Sequence, residues 1–117
     1  MTLTEREVGD VTILDLKGRL VLDDGDLLFR DRVNDLVAKG RRKIVVSLRD
    51  VTYIDSCGIG VLISKLVSVR NKGGDLKLAH LSPRSHRVFD ICRLDNVFES
   101  FESEEEAVAS FARGTAA

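Results

Sequence analysis

Residues 53–60 (YIDSCGIG) combine small polar side chains with a change of hydrophobic pattern. An apolar strand pattern ends at Ile54, and a helical apolar pattern follows the tetrapeptide Asp-Ser-Cys-Gly at residues 55–58. The backbone N–H groups at a helix N-terminus lack intrahelical partners and favour negative charge. The tetrapeptide is therefore placed where an anion or a phosphorylated side chain is stabilised.

The other reactive side chains give no second site. Cys57 and Cys92 form no CxxC pair, and no two histidines stand at metal-ligand spacing, so neither a metal nor a cofactor is expected. Neither His80 nor His86 has an acid or a nucleophile at a spacing along the chain that is typical of a catalytic pair. No catalytic residue is therefore predicted. Cys92 lies on an apolar helix face, where a core position is expected.

Composition describes an ordinary globular domain. The chain has 117 residues, of which 44% are hydrophobic and 32% charged, with a formal net charge of -1. We expect one domain over residues 1–117, with a core over about residues 3–112 and a short tail at 113–117. The balanced charge gives no reason to expect nucleic acid or an anionic membrane as a partner.

The start of the chain has no basic segment followed by an apolar one, and no apolar run reaches the roughly 20 residues that a membrane span requires. These features predict a cytoplasmic protein without direct membrane insertion, with both thiols reduced.

Strand patterns alternate with helix patterns along the chain. Residues 11–17 form the first clear strand pattern, which Gly18 closes, and Gly9-Asp10 predicts a hairpin turn before it. Residues 44–48 are almost continuously apolar, as in a strand buried on both faces. A third strand pattern covers residues 75–81.

Four segments have helical periodicity. Residues 24–39 place apolar side chains on one face, with Asp23 or Asp24 as the N-cap and Gly40 at the end. The helix after Gly58 turns Lys65 and Lys72 away from the core and stops at residues 73–74. A third helix opens at residues 82–83 (Ser-Pro), with apolar residues at 88, 89, 91 and 92. The fourth opens with a capping box at residues 103–106.

This order predicts a single α/β domain with a mixed, mostly parallel sheet, an N-terminal antiparallel hairpin and about four helices. The order and the loop at residues 55–58 resemble the STAS domain family of anti-sigma factor antagonists. Its members carry Asp-Ser-Ser-Gly or Asp-Ser-Thr-Gly here, and the hydroxyl before the glycine accepts a phosphate. The turn at Gly18 and Asp23, residues 73–74 and residues 82–90 match the family as well.

The resemblance implies an antagonist without enzymatic activity. It would bind an anti-sigma factor of the serine-kinase type and release a sigma factor; phosphorylation would break the complex and a phosphatase would restore it. The partner-binding positions that it implies are Asp23, Asp55, Ser56, Cys57, Gly58 and Ile59. Asp23 and Asp55 would border the acceptor, and Ser56 would cap the helix.

Cys57 occupies the usual acceptor position and leaves several readings open. The protein could bind its partner without phosphoregulation, or Ser56 could be the alternative acceptor. Cys57 could instead be a redox sensor, because a helix N-terminus lowers a thiol pKa, or a structural residue in a tight turn.

Two alternative functions accompany these readings. One is a STAS subunit or scaffold of another assembly, such as a lipid-transport or signalling complex. The other is a thiol-dependent enzyme, in which His80 or His86 would have to approach Cys57 as the base.

Overall fold

The fold is built on a mixed sheet that carries helices on both faces. The structure, a computed structural model, describes residues 1–94 and 97–112, so the predicted tail at 113–117 lies outside it. The described strands form one five-stranded sheet in the order of the chain. They are β1 (Thr2–Val8), β2 (Val11–Leu20), β3 (Lys43–Ile54), β4 (Asp75–Ala79) and β5 (Ser100–Phe101).

Among the described strands, only the first pair is antiparallel. β1 and β2 form the predicted hairpin, in which Gly9 and Asp10 make the turn between the paired Val8 and Val11. The remaining neighbours, β2–β3, β3–β4 and β4–β5, are parallel and need crossover connections. The predicted α/β class and mixed sheet are therefore confirmed.

Four helices are described: α1 (Asp26–Ala38), α2 (Ser56–Asn71), α3 (Pro83–Ile91) and α4 (Glu104–Ala112). Ser82 caps α3 by accepting a hydrogen bond from the Ser85 amide, and Ser103 Oγ accepts one from the Glu106 amide at α4. The predicted cap of α1 by Asp23 or Asp24 is wrong. Its N-cap is Gly25, in a left-handed conformation that suits glycine, and no side chain caps the helix.

The two faces of the sheet are covered unequally. Side chains at alternate strand positions, such as Leu14, Val46 and Leu78, pack against α1, α2 and α3 in the larger core. The intervening positions, such as Ile13 and Val45, face α4 in a smaller core. The domain thus has three layers, with residues 44–48 buried on both faces as predicted.

β2 and β4 end at other residues than the sequence pattern predicts. β2 does not stop at Gly18, because its pairing with β3 continues to Leu20. β4 ends at Ala79 rather than residue 81. The sequence pattern does not predict the extension of β2 to Leu20, because the hydrogen bonds that hold this extension come from β3.

The β2–β3 register shifts twice, once between Asp15 and Lys17 and once between Gly18 and Arg19. Each shift leaves one extra residue on β3, which is the arrangement of a β-bulge. The bulged half of β3 leads directly into residues 55–58.

Two lysines are buried, in contrast to the usual position of this residue type. Lys65 does not face solvent as predicted; it is buried between α1 and α2, where its Nζ donates to Asn34 Oδ1 over 2.9 Å. Lys77 is fully buried beneath α4, where its Nζ donates to Ser110 Oγ over 2.7 Å and lies 4.4 Å from the centre of the Phe111 ring. Each lysine has a polar partner for its ammonium group, which burial requires.

The end of α3 is more exposed than its apolar sequence suggests. Ile91, predicted on the apolar face, is 74% exposed. Cys92 follows the last helical residue and is exposed, so the predicted core position of this cysteine is wrong. Within the described ranges, no helix is both long and apolar enough to cross a membrane.

Candidate functional site

The tetrapeptide at residues 55–58 joins the carboxyl end of β3 to the first turn of α2. α2 begins at Ser56 rather than after Gly58, and its N-cap is Asp55. The Asp55 Oδ1 atom accepts a hydrogen bond of 2.8 Å from the Gly58 amide. The prediction that Ser56 caps the helix is therefore wrong, and the exposed Ser56 hydroxyl is not used for capping.

Asp55 also holds the loop between β2 and α1. Its Oδ2 accepts a hydrogen bond of 3.1 Å from the Leu22 amide, and its own amide donates to the Leu20 carbonyl over 3.3 Å. The contact between Leu22 and Asp55 joins residues that lie 33 positions apart in the chain. Asp55 thus fixes both segments of the site by side-chain and backbone hydrogen bonds.

The amides around Asp55 stabilise its ionised form. The Gly58 amide has the largest effect in lowering the pKa of this carboxyl below its ordinary value, burial opposes it, and the amides of Leu22 and Cys57 add to the lowering. A negative charge therefore already occupies the N-terminus of α2 near neutral pH. Any further charge on the first turn is added beside this carboxylate.

Gly58 is buried where α2 approaches β2. A Cβ atom at this position would lie 2.1 Å from the Leu20 carbonyl oxygen, a distance that no side chain tolerates. The glycine therefore allows the approach that brings the first turn of α2 against the end of β2. Gly60, two residues later, has open space around it.

Ser56 and Cys57 present their side chains to solvent in the first turn of α2, whereas Ile59 is half-buried and packs against the larger core. Asp23 lies in the neighbouring loop directly after Leu22, has a φ angle of 61° and is exposed. Its amide donates to Asp26 Oδ1. Asp55 therefore connects the loop that contains Asp23 to the turn that contains Ser56 and Cys57.

The sequence analysis missed apolar side chains around this site. Leu22, whose amide binds Asp55, is 58% exposed, and Tyr53, two residues before Asp55, is 46% exposed. The Arg19 guanidinium lies 5.9 Å from the centre of the Tyr53 ring. Aromatic side chains such as tyrosine are enriched in the buried centre of protein interfaces. The sequence signal that could have indicated an exposed apolar residue here is Leu22, which lies directly before two aspartates in a loop.

Metal-ligating side chains and the two histidines are the remaining candidates for chemistry. Among residues 1–94 and 97–112, no three His, Cys, Asp or Glu side chains could hold a metal together. His80 Nε2 lies 3.5 Å from Arg49 Nη2, and His86 is exposed on α3. The hydrogen bonds of the described part of the chain include none between Cys57 and either imidazole.

Comparison with known families agrees with this fold and loop. The model of the STAS domain family matches residues 3–107. The chain belongs to the STAS domain family. Among relatives, the anti-sigma-B factor antagonist of Bacillus subtilis (strain 168) is 35% identical over 81 residues, which cover 69% of this chain and 73% of that protein.

Solved structures share the architecture. The crystal structure of a Thermotoga maritima protein, described as a candidate anti-sigma factor antagonist, has a TM-score of 0.86 and 30% identity and covers 92% of each chain. The anti-sigma factor antagonist SpoIIAA in its unphosphorylated form has a TM-score of 0.73 at 18% identity, with 97% of this chain and 99% of that chain covered. At this identity, the SpoIIAA likeness concerns the fold alone.

Proposed function

We propose that this protein is an anti-sigma factor antagonist that binds an anti-sigma factor of the serine-kinase type and thereby releases a sigma factor. The contact would use a switch surface formed by Asp23, Asp55, Ser56, Cys57, Gly58 and Ile59. The observation that carries the proposal is the first turn of α2, which Asp55 and the buried Gly58 hold in place while Ser56 and Cys57 face solvent. The names of the relatives support the same function.

The surroundings of the switch surface suit a regulated protein contact. The exposed apolar side chains of Leu22 and Tyr53 supply area that a partner can bury. The small side chains of Ser56 and Cys57 let a partner approach the helix N-terminus closely. Together they provide the apolar contacts and the close approach that a transient complex needs.

Phosphorylation of this surface would act through electrostatics. A phosphate adds about -1.5 to -2 charges. The Asp55 carboxylate already accepts hydrogen bonds from the first-turn amides. The added phosphate would therefore not take the place of this carboxylate and would face the partner and solvent instead. A docked partner would meet repulsion and a desolvation cost, so the complex would dissociate without unfolding of the domain.

We assign the acceptor role to Ser56. Its hydroxyl is exposed and is not used as the helix cap, so no capping energy is lost when it is modified. Cys57 takes the position of the family's usual acceptor, and a thiol is a poor substrate for a kinase that activates hydroxyl groups. A phosphatase would reverse the modification. In this proposal the protein is a binding regulator and not an enzyme.

The first experiment is affinity capture from the native cytoplasm with three baits: the wild-type chain, Ser56→Asp and Ser64→Asp. Ser64 is exposed on the same helix and serves as a matched control for an added charge. We expect the wild type and Ser64→Asp to recover an ATP-binding anti-sigma factor, and Ser56→Asp to lose it. Equal recovery by all three baits would place the interface elsewhere, and recovery of transport or scaffold subunits would instead favour the second STAS function.

The second experiment tests the acceptor with the captured kinase and labelled ATP. Wild-type protein should be labelled, Ser56→Ala should not, and Cys57→Ser should gain labelling because a hydroxyl returns to the family's usual position. If only Cys57→Ser were labelled, Ser56 would not be an acceptor. The wild-type protein would then bind its partner without phosphoregulation.

A further inference from the structure

A groove of about 500 Å3 lies where β3 runs beyond the end of β4. Arg49 on this extension, His80 after β4 and His86 on α3 line the groove. None of these residues belongs to the switch surface. The groove therefore needs an explanation of its own.

The register of β3 positions Arg49. β3 has one extra residue between Ser47 and Asp50, in the segment that contains Arg49. Bulges of this kind redirect side chains and occur next to functional sites. Arg49 is exposed, and within residues 1–94 and 97–112 no carboxylate lies within 4.0 Å of its guanidinium. Apart from Nη2, which lies 3.5 Å from His80 Nε2, its N–H groups are available to a ligand.

His80 is held in an uncommon backbone conformation. Its φ angle is 58°, a region that few residues other than glycine adopt and in which histidine is enriched. The His80 amide donates a hydrogen bond of 3.0 Å to the Phe101 carbonyl, which fixes this conformation against β5. The imidazole is thereby preset with its Nε2 atom 3.5 Å from Arg49 Nη2.

The remaining lining defines the ligand. Leu81 and Pro83 supply apolar wall, and Glu102 supplies an acid that would oppose a large polyanion. The groove is open to solvent and has room for a small organic molecule. A planar guanidinium binds a carboxylate or a phosphate through paired N–H groups. These features match a compact ligand with one anionic end and one apolar end.

We propose that this groove binds a small organic oxyanion, a carboxylate or a phosphate monoester with an apolar body, through the guanidinium of Arg49, which donates to His80 Nε2 and is oriented by it. The site would give the domain a small-molecule input that is separate from the switch surface. The proposal does not depend on the antagonist function, and its test requires no partner protein.

The test is an NMR titration of the ¹⁵N-labelled chain with phenyl phosphate and with benzoate, using benzyl alcohol as the probe without an oxyanion. We expect saturable shifts of the amides of residue 49 and residues 80–86 with at least one of the two anions, and none with the alcohol. The anion that binds more tightly identifies the preferred oxyanion. Absence of saturation with both anions would overturn the proposal.

Four variants separate a specific site from general surface charge. Arg49→Gln should weaken binding by about tenfold or more, because a charge-assisted hydrogen bond is lost. His80→Asn, which tolerates the same backbone conformation, should also weaken it. Glu102→Gln should tighten binding by about threefold, since one opposing charge is removed. Arg87→Gln, on the exposed face of α3 and outside the groove, should leave it unchanged. Equal binding by the Arg49 and Arg87 variants would refute a specific site.

Discussion

Replacement of Gly58 by alanine tests the packing that creates the switch surface. The new Cβ atom would lie 2.1 Å from the Leu20 carbonyl oxygen and 3.0 Å from Ile54 Cγ2. A backbone carbonyl cannot rotate away as a flexible side chain can. The start of α2 and the end of β2 must therefore separate by more than about 1 Å, given ordinary C···O contacts of about 3.3 Å.

The expected magnitude is the difference between two opposing effects. Alanine in place of glycine within a helix gains about 1 kcal/mol. Overpacking typically costs about 1–3 kcal/mol of stability. Because the contact here is with rigid backbone, we expect a cost of about 3 kcal/mol. The net loss is then about 2 kcal/mol, or a decrease in Tm of about 8 °C for a domain of this size.

Gly60→Ala is the matched control, because it lies in the same helix and a Cβ atom there meets nothing within 4 Å. It should stabilise the domain by about 1 kcal/mol. Urea unfolding followed by circular dichroism measures both changes. The separation of strand and helix should also shift the Leu22 amide resonance in Gly58→Ala, since that amide binds Asp55. If Gly58→Ala were as stable as Gly60→Ala, the close approach of Gly58 to Leu20 would be refuted.

Three further variants address the charged groups of the fold. Asp55→Asn should lower the free energy of unfolding near neutral pH. The pKa of Asp55 in the folded state lies below its ordinary value of 3.8. The carboxylate therefore contributes its full stabilisation above pH 3.8, and this stabilisation is lost as the pH falls below 3.8. Urea midpoints of wild type and Asp55→Asn should therefore converge in acid, and a difference that persisted there would exclude the charge as its source. The free energy of unfolding of Lys77→Met should stay within about 1 kcal/mol of the wild-type value, because an apolar side chain of similar length replaces a fully buried ammonium group. Lys77→Ala should lower it by about 2–4 kcal/mol, because the shorter side chain leaves a cavity. Equal losses in the two Lys77 variants, measured by urea unfolding, would instead assign the energy to the ammonium contacts with Ser110, Phe111 and the Glu99 carboxylate, whose Oε2 lies 3.4 Å away.

The sequence predicted the features that depend on neighbouring residues. The apolar run at residues 44–48, the Gly9-Asp10 turn and the cap at Ser103 follow from local periodicity and local hydrogen bonding, and the structure confirms each. The position of residues 55–58 at the start of a helix follows from the same kind of pattern. These features need no knowledge of which distant segments meet.

Prediction failed where residue type and local pattern did not determine a residue's role. Both Asp55 and Ser56 are suitable helix caps by residue type, and the contact of Asp55 with the Leu22 amide distinguishes them. Lys65 is polar by type, but its partner Asn34 lies on another helix. Cys92 lies on an apolar pattern that continues past the point where α3 ends.

The sequence by itself therefore determined the fold class, the family resemblance and the loop in which function is expected. Only the tertiary structure decided that Asp55 joins two distant loops, that Gly58 must lack a side chain because of Leu20, and that Leu22 borders the site. It also brought Arg49 to His80 across 31 positions of the chain. The physical reason is the same in each case: periodicity records which face of an element is apolar, whereas the partners of a polar or small residue are set by the strand register and helix packing of segments far apart in the sequence.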